Sequence, residues 1–207
     1  MQVDHVFWCV EDAEAAAAWV ERLGLRETYR RRHVGQGTAN VCCAFDNAYL
    51  ELLWVVDPDE ARGPQVTRTR LADRGAWRHG VACPVGVAVR GGLSGVRPTW
   101  TYAPPYLPPG VTIDVLEGSG TPEQPLVFSA RGLTPPAEWP EARRGSLQRD
   151  LGRAGISRIE LTAPGPLDAD VAAVLALAGV VARSGPAWAL ELTVELASAG
   201  AERLTLG

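Results

Sequence analysis

The sequence predicts an α+β fold assembled from repeated βαβββ modules, with the middle module lacking its helix. Two observations carry that prediction. Runs such as VDHVFWCV (residues 3–10) and AYLELLWVV (48–56) are rich in β-branched and aromatic residues, as strands are. An Ala-rich helical run follows the first strand, and the same element order returns near the C-terminus.

The first module is predicted over residues 1–57. After the strand at 3–10, Asp12 suits an N-cap for a helix over 13–23, and Gly24 is the expected left-handed stop. Ala16, Trp19, Val20 and Leu23 share one face of that helix. Strands are expected at 26–32, 39–45 and 48–56, the last two joined by an Asp46-Asn47 turn. Residues 57–80 are polar and read as a loop with a short helix around 66–73.

A degenerate second module is predicted over 81–131, with strands at 83–90, 111–116 and 126–130. Where its helix would stand there is GGLSG followed by a stretch containing Pro104, Pro105, Pro108 and Pro109. Residues 132–155 form a Pro-punctuated connection. A third βαβββ-like module is predicted over 156–207: a strand at 156–163, a helix at 168–178 ended by Gly179, and strands at 180–183, 188–195 and 202–206. All three are expected to form one compact domain.

Composition narrows the function classes. A net charge of −4 over 207 residues argues against a nucleic-acid partner. Every basic residue is Arg, so no Schiff-base or P-loop lysine exists. No run approaches the roughly 18 apolar residues of a membrane span. No basic stretch leads into an apolar run at the start of the chain, so a cytoplasmic protein is expected. The four cysteines form no C-x-x-C pair and read as reduced, packed thiols.

Two features stand out against the apolar background. His5 and Glu51 are polar residues in otherwise apolar strands, and a carboxylate among Leu50, Leu52 and Leu53 needs a partner. Either a metal or a His–Glu hydrogen bond would serve. The second feature is HVGQGTAN, residues 33–40, where two glycines allow a tight turn that Thr38 and Asn40 can hydrogen-bond.

DHVFWCVEDAEAAAAWVERLGL, RRHVGQGTAN and AYLELLWVVDP in succession resemble the glyoxalase-like branch of the vicinal oxygen chelate superfamily, which includes bleomycin-resistance proteins and dioxygenases. The resemblance is good over 1–57, looser over 81–131 and present in outline over 156–207. It implies paired modules curled around a cleft, a small-molecule ligand and a divalent metal (zinc, iron, manganese or nickel) held by His5 and Glu51, and it allows a homodimer. His33, Asn40, Tyr49, Trp54 and Arg158 are the candidate ligand-binding residues, and Trp8 and Trp100 are further candidates for an aromatic wall. The second half of the metal set is absent: Gly86 and Ser129 in the middle module, and Arg158 and Thr205 in the last, stand where ligands are expected. Three readings follow. One is a metal-dependent lyase, isomerase or dioxygenase acting on vicinal oxygens; the second is a metal-free, non-catalytic binder of the antibiotic-sequestering kind; the third is an oligomerising scaffold with no small ligand.

Overall fold

The computed structural model describes the backbone of residues 1–207 and the side chains of all but residues 142 and 143. The first half begins with β1 (Gln2–Cys9), α1 (Ala13–Arg22), β2 (Tyr29–His33), β3 (Thr38–Ala44) and β4 (Tyr49–Val55). Asp12 caps α1 by accepting from the Ala15 N–H at 2.8 Å, and Gly24 follows the helix at φ +59°. Helix α1 buries Ala16 and Trp19. The segment after β4 holds two short helices, α2 (Pro58–Arg62) and α3 (Leu71–Gly75), where one near 66–73 was expected.

Strands β5 (Val85–Arg90), β6 (Thr99–Tyr102), β7 (Ile113–Leu116) and β8 (Leu126–Ala130) follow with no α-helix between β5 and β6. Strand β6 was not anticipated. Pro98 and Pro104 flank it, and prolines are tolerated there because β6 is an edge strand. A short α4 (Glu141–Arg144) lies in the connection to β9 (Arg153–Ala163), α5 (Ala169–Leu177), β10 (Val180–Ser184), β11 (Ala189–Leu196) and β12 (Ala201–Leu206).

Strands β1 to β8 form one sheet in the order β2-β3-β4-β1-β5-β8-β7-β6. Read outward from its centre, each half runs first strand, fourth, third, second. The halves meet where β1 pairs antiparallel with β5. Residues 156–207 keep the predicted element order but pair differently. There β9 lies between β10, its parallel partner after the α5 crossover, and β11, giving the order β10-β9-β11-β12. In the first half, by contrast, the first strand pairs with the fourth.

The strand period of two sorts the large sheet into two faces. Val6, Trp8, Leu50, Leu52, Trp54, Val85 and Val87 point to one side and share a core with Leu161, Val174, Leu190 and Leu192 of the C-terminal layer. Phe7, Cys9, Leu53, Val115 and Leu126 point to the other side. The candidate site lies on that second face.

Candidate ligand cavity

His5 and Glu51 come together because β1 and β4 are parallel neighbours, with Phe7 beside Glu51 in the register. His5 Nε2 lies 3.5 Å from Glu51 Oε2, and each residue is 7% exposed. Strand β3 supplies the next member: Asn40 Nδ2 donates to Glu51 Oε1 at 2.6 Å, while Asn40 Oδ1 accepts from the Arg31 N–H at 3.0 Å. Asn40 Nδ2 also lies 3.4 Å from His33 Nε2, and His33 Nδ1 lies 2.8 Å from Thr38 Oγ1. Gln36 Nε2 donates to the same Thr38 oxygen, and the Tyr102 hydroxyl donates to Gln36 Oε1 at 2.8 Å. A continuous polar row therefore runs from His5 to Tyr102.

The turn carrying part of that row is fixed from outside. Gly35 and Gly37 have φ of +80° and +74°, and both N–H groups donate to Glu60 Oε2, at 2.9 and 3.0 Å. Glu60 sits on α2, whose start is capped by Asp57. A Cβ on Gly37 would lie 2.2 Å from the Asp57 carbonyl oxygen, so the positive φ and the close approach both require glycine. A few residues on, Arg74 is completely buried and donates to carbonyls of Thr69, Cys83, Ser119, Thr121, Pro122 and Gln124. It ties the α2–α3 segment, whose Thr69 and Leu71 border the cavity, to the loop before β8.

Together these elements enclose a cavity of about 550 Å³, within the usual range for small-molecule sites. His5, His33, Asn40, Tyr49 and Glu51 line it, as do all four tyrosines of the chain (Tyr29, Tyr49, Tyr102, Tyr106). Tyr49 stacks on His5 with ring centres 4.3 Å apart, and Tyr106 lies 4.3 Å from the His33 ring. The half contributed by β7 and β8 is apolar: Ile113, Val115, Leu126, Phe128 and Ala130. Burial drives the Tyr49 hydroxyl well above its ordinary pKa. Burial also lowers the pKa of His33; the nearby Glu51 charge works against that shift and Arg31 adds to it. A neutral His33 is consistent with its contacts, donating from Nδ1 to Thr38 and accepting at Nε2 from Asn40.

Other sequence candidates lie elsewhere. Trp54 and Trp8 belong to the opposite face and the core, because each is one residue out of step with the cavity-facing Leu53 and Phe7. Trp100 packs beside the cavity cluster without lining the cavity. Arg158 is on β9 in the second sheet, exposed and paired with Glu160. Ser129 is buried out of step with Phe128, which faces the cavity in its place. Cys9 is on the face of His5, but burial raises its thiol far above the ordinary value and leaves it no nucleophile. Sequence reasoning missed Asp4, Arg90, Gln36 and Tyr106. Asp4 was hidden by the assumption of strict alternation, and Tyr106 by its Pro-rich surroundings.

The donor set does not fit a metal centre with three protein ligands. Among the described residues no group of three or more His, Cys, Asp or Glu side chains is arranged so that it could hold a metal ion. Gly86 and Phe128 stand on β5 and β8 where the second half of such a set would be. The Phe7 ring already fills the space over Gly86, where a Cβ would lie 2.0 Å from its Cε1.

Residues 3–86 match the family described as Glyoxalase-like domain. No curated protein matches the sequence. Among solved structures, a hypothetical protein from Bacillus halodurans C-125 is similar at 14% identity and a TM-score of 0.41, over 62% of this chain and 92% of that one. Methylmalonyl-CoA epimerase in complex with methylmalonyl-CoA and NH4+ gives 15% and 0.41, over 65% and 97%. Streptomyces coelicolor methylmalonyl-CoA epimerase in complex with 2-nitronate-propionyl-CoA gives 16% and 0.41, also over 65% and 97%. The family match spans β1 to the start of β5, the stretch that carries His5, His33, Asn40 and Glu51, and over that stretch the chain is similar to glyoxalase-like domains.

Proposed function

We propose that this protein binds a small, flat, largely apolar molecule in the cavity and holds its polar end against the His5–Glu51 wall, without a metal. The observation that carries this reading is the division of the cavity. Apart from the Tyr102 hydroxyl on β6, the polar wall residues from the large sheet lie on β1 to β4 or their turn, while β7 and β8 supply Ile113, Val115, Leu126, Phe128 and Ala130. Aromatic and aliphatic walls favour an aromatic ligand through burial and ring contacts. The metal-dependent lyase, isomerase or dioxygenase reading rests on His5 and Glu51 alone, and two protein donors make a weak site.

Calorimetric titration with 2-naphthol and with 1-octanol tests the proposal. The naphthol is expected to bind one per chain and at least tenfold tighter than the octanol. Ala130→Trp, which fills the cavity from its apolar side, is expected to abolish binding while the circular dichroism spectrum stays unchanged. No saturable naphthol binding, or full binding by a folded Ala130→Trp, would contradict it.

A further inference from the structure

Asp4 and His5 are consecutive on β1, where strict alternation would send them to opposite faces. The β1–β5 register shifts between Val3 and His5, a bulge that removes this constraint. Asp4 Oδ2 consequently lies 2.8 Å from His5 Nδ1. Asp4 is 1% exposed, and its other oxygen accepts from Arg90 Nη1 at 3.0 Å. Arg90 is held in turn by donating from Nη2 to the Asn47 carbonyl at 2.8 Å.

This chain of contacts sets the roles of the imidazole nitrogens. A carboxylate held by a guanidinium acts as an acceptor, so Nδ1 carries a proton, and in the neutral ring Nε2 then presents a lone pair. That lone pair faces Glu51 Oε2 across 3.5 Å, too far for a good direct hydrogen bond. Glu51 Oε1 is already engaged by Asn40. Two acceptors therefore converge on one point of the cavity wall, beside the Tyr49 ring that stacks on His5.

We infer that the polar group this cavity takes is a hydroxyl on an aromatic ring, donated into the His5 Nε2–Glu51 Oε2 pair, and that Asp4 is the positioning residue that makes His5 an acceptor. The inference rests on the cavity reading above and deepens it by naming the ligand's donor. An ether in the same place would set an acceptor against two acceptors and leave both unpaired. An ammonium group is disfavoured by Arg30 and Arg31 at the cavity wall, the second lying 4.8 Å over the Tyr106 ring.

The test compares 4-nitrophenol with its methyl ether, 4-nitroanisole, followed by absorbance on titration with the full-length protein at pH 6, where the phenol is neutral in water. The phenol is expected to bind at least tenfold tighter than the ether. Asp4→Asn, whose amide can donate to Nδ1 and force the other tautomer, is expected to reduce that preference to under threefold, with the ether binding more tightly than to the native protein because Nε2 then donates to its oxygen. Equal affinity of the two probes for the native protein overturns the inference and leaves the cavity reading standing. If neither probe binds, the cavity reading itself fails. Histidine nitrogen-15 NMR of the unsubstituted protein decides the Asp4 role even if Asp4→Asn does not fold. A protonated Nδ1 and a bare Nε2 on His5 support it, and a protonated Nε2 overturns it.

Discussion

Phe128 holds on β8 the register position that Glu51 holds on β4. Glu51 lies beside Phe7, two residues beyond His5 on β1, and Phe128 lies beside Ala88, two residues beyond Gly86 on β5. The sheet thus repeats a backbone arrangement whose chemistry survives on one side only. Phe128→Glu restores a second carboxylate facing the cavity. It is expected to raise affinity for zinc or manganese at least tenfold over the native protein, read by calorimetry. It is also expected to lower the melting temperature, because the new carboxylate is buried among apolar neighbours in the absence of metal.

The native protein follows from the same relationship. With His5 and Glu51 as its donors, it is expected to hold well under one equivalent of zinc, iron, manganese or nickel after dialysis against chelator. It should stay folded throughout, since its core does not depend on an ion. Elemental analysis with circular dichroism on the same sample checks both halves of this expectation. A full equivalent retained would contradict the geometry of the site.

The turn at residues 34–37 offers a stability prediction with an internal control. Gly37 and Gly92 share a φ of +74°, but a Cβ on Gly92 meets nothing within 4 Å, whereas one on Gly37 meets the Asp57 carbonyl oxygen and the Ala61 nitrogen. Gly92→Ala should show only the left-handed strain, about 1 kcal/mol. Gly37→Ala should lose more than about 2 kcal/mol and weaken ligand binding, because the Glu60 clamp must open. Urea denaturation compares them, and equal losses would remove the clamp from the account.

His33 gives the folded state a pH dependence of known sign. Its pKa is lowered in the folded protein, chiefly by burial, from the ordinary 6.5. Below that value the unfolded chain binds the proton more readily, so His33's contribution to stability is complete above about pH 6.5 and declines as pH falls through the folded pKa. Denaturation midpoints at pH 8, 7, 6 and 5 are expected to fall towards acid, and His33→Gln should flatten that part of the slope. An unchanged slope would mean that His33 is not held neutral.

Much of this arrangement was legible in the sequence, and the exceptions have physical causes. Helix α1 announced itself through Asp12, its Ala-rich face and Gly24, and the strands carrying His5 and Glu51 through their β-branched runs. The pairing of those two residues followed from the expected neighbouring of the first and fourth strands. Asp4 was illegible because a bulge leaves no compositional mark and period-two reasoning places it on the wrong face. Trp54 was placed in the cavity although it is three residues from Glu51, an odd step that strand geometry sends to the core. Arg158 was matched by element order alone, but β9 pairs with β10 and β11 and not with a fourth strand, so the equivalence does not hold. Tyr106 and the β6 edge lie among prolines, where local sequence says turn and only tertiary packing decides.

A crystal structure of the protein soaked with 2-naphthol shows whether the cavity takes an aromatic hydroxyl against His5 and Glu51. The ring is expected between Phe128 and Tyr49, with its oxygen within hydrogen-bond distance of His5 Nε2 and Glu51 Oε2 and no metal between them. A naphthol bound outside this cavity, or a cation coordinated by His5 and Glu51 in its place, would contradict this expectation.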